Sequence, residues 1–315
     1  MLVGIDIGGT KCAVCCGEYK NDTVRIVDKI KFPTEKGASP DSVMEKMAEM
    51  IRKLNCDKID SIGISCGGPL DSKRGVILSP PNLVGWDRIE IVKYFENEFH
   101  VPVMLQNDAN ACALAEWKFG AGRGSENMIF MTFGTGLGAG LILDGKLYAG
   151  TNDMAGEVGH VSLSEYGPVG YGKQGSFEGF CSGGGIAQIG KTKALEYIQR
   201  GEAVGYCPDL ASLDKVDAKI IADFARNGDK AAIETYEQCS KMLGFGLSIL
   251  IDILNPQVIV IGSVFERCHD LLWESAKNII EKETLPLSRK VCKVVPAELG
   301  DAIGDYAALA VASYV

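Results

Sequence analysis

Ile5-Asp6-Ile7-Gly8-Gly9-Thr10-Lys11 reads as a buried strand that turns through a glycine corner, and Phe133-Gly134-Thr135-Gly136 repeats the pattern in the second half of the chain. Backbone N–H groups and hydroxyls at such corners can hold phosphate, and two facing corners could hold a triphosphate from both sides. Asp6 stands at the end of its strand, where an unpaired carboxylate is costly. A hydrated magnesium would relieve that cost. Each corner taken alone could be an ordinary hairpin turn. That reading explains their repetition poorly.

Outward from the first corner, strand-like runs cover 2–7, 12–16 and 24–32. Ser39-Pro40 then opens a helix, a cap followed by proline at the first helical position, with Val43, Met47, Met50, Ile51 and Leu54 at helical spacing. A strand at 59–65, a helix at 89–99, a strand at 101–105 and a helix at 109–119 complete a β-β-β-α-β-α-β-α order. After Asn127 the order begins again, with strands at 128–133, 137–143 and 146–148. Helices at 184–200, 218–226 and 230–254 follow. A strand at 258–261, a helix at 269–281, a strand at 291–295 and a closing helix at 302–314 end the chain. This is the grammar of a duplicated α/β domain with a cleft between the copies, the junction falling at 120–125.

Composition sets the outer limits. The chain has 315 residues, 46% of them hydrophobic, enough for a buried core and more than one core usually serves. It carries 41 acidic against 32 basic residues, a formal charge of −9, which disfavours nucleic acid as the main partner. Its 11 cysteines are odd in number and dispersed, a pattern that suits a reducing cytoplasm rather than a disulfide framework. Cys12 and Cys15 satisfy C-x-x-C but lie three apart on one strand and so face opposite sides. No signal peptide is read before Gly4. The apolar stretch at 243–261 contains Asp252, Asn255 and Pro256, so it reads as a helix end and a strand rather than a membrane span.

Two further glycine motifs fit their usual chemistry badly. Gly185-Ile-Ala-Gln-Ile-Gly190-Lys191-Thr192 is a literal G-x-x-x-x-G-K-T. A phosphate-binding loop of that kind needs a buried strand before it. Here Ile186, Ile189, Leu195 and Ile198 line one helical face. The series Gly134, Gly136, Gly138 and Gly140 loosely matches a dinucleotide fingerprint, but it continues as a strand where that fingerprint needs a helix.

Seven segments together resemble the ROK family (repressor, open reading frame, kinase) of the actin-like ATPase/sugar kinase superfamily. They are Gly4-Ile-Asp-Ile-Gly-Gly-Thr-Lys11, Gly67-Gly-Pro-Leu-Asp71, Pro81-Asn-Leu-Val-Gly-Trp86, Asn107-Asp-Ala-Asn110, Gly134-Thr-Gly136, Ala155-Gly-Glu-Val-Gly-His160 and Glu178. They keep the family's order and spacing over nearly the whole chain. The resemblance implies an α/β fold of two ribonuclease-H-like lobes with a cleft between them. The N-terminal lobe would span 1–120 plus 300–315, with the closing helix returning to it, and the C-terminal lobe 121–299. A homodimer is implied as well.

By the same resemblance Asp108 is the general base toward a sugar hydroxyl. A carboxylate at a strand end can take that proton as phosphoryl transfer proceeds; Asn107 or Asp108 could equally cap the helix that follows, and both roles are compatible. Gly68, Asn82, Asn107, Asp108, Glu157, His160 and Glu178 would hold the sugar. Asp6, Gly8, Gly9, Thr10, Lys11, Gly134, Thr135 and Gly136 would hold the phosphates of ATP, with Gly262 near the adenosine and Asp6 carrying Mg2+ through water.

The departures from the family pattern are informative. Zinc-containing members carry C-x-C-G-x-x-G-C-x-E, whereas this chain reads Val169-Gly-Tyr171-Gly-Lys-Gln-Gly-Ser176-Phe-Glu178. All three cysteine positions are lost, and His160 alone cannot close a zinc site. No structural zinc is expected. Gly262-Ser-Val-Phe265 lacks the usual glycine run, and Gly304-Asp-Tyr306 is atypical.

The implied activity is ATP-dependent phosphorylation of a hexose on its 6-hydroxyl. Glucose comes first, because Pro-Asn-Leu-x-Gly-Trp resembles glucokinase-type members. N-acetylmannosamine or N-acetylglucosamine comes next, with allose, fructose and β-glucosides open. Family members that act as sugar-responsive transcription factors carry an N-terminal helix-turn-helix module, whereas this sequence opens on the phosphate strand. A non-catalytic sugar sensor is a third reading, against which Asp6, Asp108 and both corners argue.

Overall fold

Both faces of β1 (Leu2–Ile7) are buried, as an almost unbroken apolar run requires of a central strand. In the computed structural model, which describes residues 1–34 and 37–314, it pairs antiparallel with β2 (Lys11–Lys20), and β2 with β3 (Thr23–Pro33). Ser39 caps α1 (Pro40–Lys53), its side chain accepting from the Ser42 amide at 3.2 Å. Then come β4 (Ser61–Cys66), the short strands β5 (Leu70–Asp71), β6 (Val76–Leu78) and β7 (Asp87–Ile89), α2 (Ile91–Phe99), β8 (Val103–Asn107) and α3 (Asp108–Phe119). The main sheet has the order β3-β2-β1-β4-β8, with β4 parallel to both β1 and β8. Met47 and Ile51 of α1 join Ile91 and Phe95 of α2 in one apolar cluster with Ile62 and Ile64 of β4.

A second five-stranded sheet repeats that order. It is formed by β9 (Met128–Phe133), β10 (Leu137–Leu143), β11 (Lys146–Tyr148), β14 (Val258–Ile261) and β15 (Lys293–Pro296), arranged β11-β10-β9-β14-β15. Between β11 and β14 lie the two-residue strands β12 (Val169–Gly170) and β13 (Lys173–Gln174), followed by α4 (Phe177–Phe180), α5 (Gly183–Gln199), α6 (Ala218–Arg226) and α7 (Lys230–Leu254). After β14 come α8 (Val264–Arg267), α9 (His269–Glu283), α10 (Pro286–Val291) and, beyond β15, the closing helix α11 (Ile303–Ala312). Residues 243–261 are the end of α7 and β14, and among the described residues no helix is long and apolar enough to cross a membrane.

The chain divides into two units, Met1–Phe130 with Gly140–Gly156 and Glu298–Val315, and Met131–Ala139 with Glu157–Ala297. Helix α11 belongs to the first unit and lies on β1 and β4 beside α3. It gets there because both surfaces are small. A Cβ on Gly63 would stand 2.1 Å from the Ala308 carbonyl, and one on Gly4 2.8 Å from the Ala308 Cβ.

Several boundaries differ from the sequence reading for local reasons. The strand expected at 101–105 is Val103–Asn107, because His100 turns through the left-handed region (φ 53°) and Pro102 has no N–H to enter a ladder. That shift places Asn107 at the strand end and Asp108 at the start of α3. The strand expected at 291–295 begins at Lys293, because Pro286 opens the extra short helix α10.

Candidate active site

The first glycine corner is pinned from its flank. Gly8 N–H donates to the Lys11 carbonyl at 3.1 Å, Thr34 N–H to the Thr10 carbonyl at 3.0 Å, and Thr34 Oγ1 to the Gly8 carbonyl at 2.7 Å. Gly9, Thr10 and Lys11 stay exposed. Gly9 lies directly on Asn82, since a Cβ there would stand 2.6 Å from the Asn82 carbonyl oxygen. Asn82 belongs to a loop hung on the buried side chains of Leu83 and Trp86 and closed by Ser79 N–H on the Trp86 carbonyl at 2.8 Å. That anchoring turns Asn82 and Val84 outward.

Parallel register brings the next residues to the same end of the sheet. Ile7 pairs with Cys66 and Cys66 with Asn107, so β1, β4 and β8 finish level. Ligands of parallel sheets gather at such carboxyl ends. Asn107 caps α3, accepting from the Ala109 amide at 2.9 Å, and Asp108 Oδ1 accepts from the same amide at 2.8 Å. Gly68 faces Asn107, and Gly67 faces Asp108, its Cβ position 4.0 Å from Oδ2. Asp108 keeps an exposed edge, yet the protein crowded around its carboxyl pushes its pKa up, while the Ala109 amide and its own work against that rise.

The surroundings of Asp6 perturb its carboxyl strongly. Burial first, then the charges of Asp305 and Asp108, push it up to about 6, against the opposing pull of Lys29 and Lys11. Asp305 is buried on α11 and paired with Lys29 of β3. The preceding Gly304 lets α11 approach, its Cβ position 3.2 Å from Asp6 Oδ2. Lys29, Gly304 and Asp305 were missed by the sequence reading of the site, and the atypical Gly304-Asp-Tyr306 was the one signal that pointed there.

The second unit holds the other corner. Gly134 N–H donates to the Gly136 carbonyl at 3.0 Å, and Gly183 N–H to the Gly134 carbonyl at 2.8 Å. Glu178 on α4 accepts from the Leu137 amide at 2.9 Å. Glu157 and His160 are exposed at the two ends of a 3-10 turn, with His160 N–H on the Glu157 carbonyl at 3.1 Å. Gly262 follows β14 and donates to the Met131 carbonyl at 3.0 Å. The next residue, Ser263, holds φ +63° and ψ −110°, with its hydroxyl 3.6 Å from the Cβ position of Gly134. Within this unit the structure therefore gathers Gly134, Gly136, Glu178 and Gly262 around one turn.

Two motifs resolve as local structure. The G-x-x-x-x-G-K-T segment lies inside α5, where Thr192 Oγ1 donates to the Gln188 carbonyl at 3.1 Å. Where zinc-containing members have their third cysteine, Ser176 caps α4 by accepting from the Gly179 amide at 3.1 Å.

The model of the ROK family matches residues 2–314. The chain belongs to the ROK family. A glucokinase of Halalkalibacterium halodurans is 32% identical over 313 residues, covering 96% of this chain and 92% of that protein. The crystal structure of a ROK family glucokinase from Streptomyces griseus, in complex with glucose and AMPPNP, is 28% identical with a TM-score of 0.77, covering 100% of this chain and 99% of that one. A putative xylose repressor of Caldicellulosiruptor sp. is 29% identical over 96% of this chain and 75% of its own length. As a ROK protein the chain has the ribonuclease-H-like, actin-type fold of the sugar kinases, which its two sheets of matching strand order express.

Proposed function

We propose that this ROK protein is an ATP-dependent hexose kinase that phosphorylates the 6-hydroxyl, with glucose as its first substrate. The observation that carries the reading is Asp108, a carboxyl of raised pKa at the start of a capped helix, just beyond the level ends of β1, β4 and β8. Raising a carboxyl toward neutrality makes it a better base near the working pH. In the step proposed, the sugar hydroxyl gives its proton to Asp108 as its oxygen bonds to the γ-phosphorus. The bond from that phosphorus to the β-phosphate oxygen breaks, and ADP leaves.

The other roles follow from the family resemblance. Gly68, Asn82, Asn107, Glu157, His160 and Glu178 bind sugar hydroxyls. Gly8, Gly9, Thr10, Lys11, Gly134, Thr135 and Gly136 bind the phosphates, and Gly262 lies by the adenosine. Asp6 would hold Mg2+ through water, and it fits that task because its surroundings penalise an uncompensated negative charge. Magnesium neutralises phosphate charge when it binds with the nucleotide. The kinase works as a homodimer and without structural zinc.

An N-acetylhexosamine substrate is the second reading, favoured by Val169, Tyr171 and Ser176 in place of the cysteines. The test of the mechanism is Asp108→Asn. The variant is expected to keep sugar binding by calorimetry while turnover falls by roughly three orders of magnitude or more. Turnover comparable with the parent would remove Asp108 from the mechanism.

A further inference from the structure

Glu178 stands in the first turn of α4, and one of its oxygens is already engaged. Leu137, the residue that closes the Gly134-Thr135-Gly136 turn, donates its N–H to Glu178 Oε2 at 2.9 Å. A Cβ on Gly136 would stand 2.7 Å from the same oxygen, so carboxylate and turn are also in steric contact. From the other side, the Cβ position of Gly159 lies 2.1 Å from the Leu137 carbonyl and 3.3 Å from Glu178 Cβ. Gly183 N–H holds the Gly134 carbonyl. Of these restraints on the turn, Glu178 alone is an ionisable side chain.

We infer that Glu178 is a positioning residue for the turn that receives the donor phosphates, offering its second oxygen to a sugar hydroxyl, so that sugar and nucleotide binding are coupled through one carboxylate. The inference rests on the kinase reading for the identity of the two ligands. Its physical basis does not. A charge-assisted hydrogen bond to a backbone amide fixes that amide's direction. A hydroxyl donated to the same carboxylate then changes the cost of ordering the turn. Such coupling is reciprocal in binding free energy.

The experiment is calorimetric binding of AMPPNP with Mg2+ to the parent, Glu178→Gln, Glu178→Ala and Gly136→Ala, first without sugar and then with saturating glucose. Without sugar, Glu178→Ala is expected to weaken AMPPNP roughly tenfold, the size of one lost hydrogen bond to a charged group. Glu178→Gln should weaken AMPPNP less than Glu178→Ala does, because its amide oxygen still accepts from Leu137 but without the charge. Gly136→Ala displaces the carboxylate without deleting it and should weaken AMPPNP as well. In the parent, glucose is expected to tighten AMPPNP by about fivefold or more, and that ratio should fall to one in Glu178→Ala.

Unchanged sugar-free AMPPNP affinity in Glu178→Ala overturns the positioning role. A parent that binds AMPPNP but no sugar contradicts the kinase reading, while the sugar-free comparison still decides the positioning role. A folded parent that does not bind AMPPNP contradicts both.

Discussion

A methyl group at Gly9 would stand 2.6 Å from the carbonyl oxygen of Asn82 and 2.9 Å from its Cβ, so the first glycine corner and the Pro81–Trp86 loop touch with no room for a side chain. The corner needs glycine for its neighbour as much as for its own turn. In the proposed function these are a phosphate-binding and a sugar-binding residue, and their packing sets the spacing between donor and acceptor.

Gly9→Ala is therefore expected to cost activity more than stability. One of the two segments must shift by several tenths of an ångström, and misplacement on that scale removes about tenfold or more from kcat/KM. Steady-state kinetics with a thermal melt of the same variant checks this. A parent-like kcat/KM would show that the contact does not position the reactants.

Asp6 supplies a pH signature. Its folded pKa of about 6 lies above the ordinary 3.8, so the fold favours its protonated form. The stability this contributes is complete below about pH 4 and is lost as pH rises through about 6. Asp6→Asn keeps a neutral side chain at every pH. Its melting temperature should exceed that of the parent above pH 6, by the equivalent of roughly 3 kcal/mol, and the difference should vanish near pH 4. Melts across that range, without nucleotide or magnesium, test the sign. A variant less stable than the parent at pH 7 would contradict it.

Much of this arrangement was legible in the sequence, and the rest was hidden for identifiable reasons. The two corners, the Ser39-Pro40 helix start and the Asn107 cap are local patterns, and each formed where its residues stood. The strands β5, β6 and β7 were not seen, because two or three residues carry no periodicity. Nor could any local pattern place Gly304 and Asp305 against Asp6, a contact made possible by glycines and alanines far apart in the chain. Similarly, Leu137 shows no sign in the sequence of being the residue that Glu178 holds.

Glu116 is a buried carboxylate that sequence reading passed over. It is fully buried on α3 and accepts from the amides of Ala121 at 2.8 Å, Leu299 at 3.0 Å and Glu298 at 3.1 Å. It thereby ties the end of α3 to the segment that leads into α11. Glu116→Ala would leave three amides without their acceptor and is expected to destabilise the first unit by about 3 kcal/mol or more. Urea denaturation measures it, and a loss below about 1 kcal/mol would show that water replaces the carboxylate.

Ser263 occupies backbone space that suits glycine, with φ +63° and ψ −110°. Its hydroxyl accepts from Arg267 Nη2 at 3.0 Å, which offsets part of the strain. Ser263→Gly is expected to raise stability by about 1 kcal/mol. A stability loss would mean that the Arg267 hydrogen bond outweighs the backbone strain.

The central claim is sugar phosphorylation, and ADP release tests it most directly. With ATP and magnesium, the protein would be assayed against glucose, mannose, fructose, allose, N-acetylglucosamine and N-acetylmannosamine. Strong turnover with glucose, and its loss in Asp108→Asn, is the result predicted. Silence across the panel in a protein that still binds sugar would contradict the claim and leave a sugar sensor in its place.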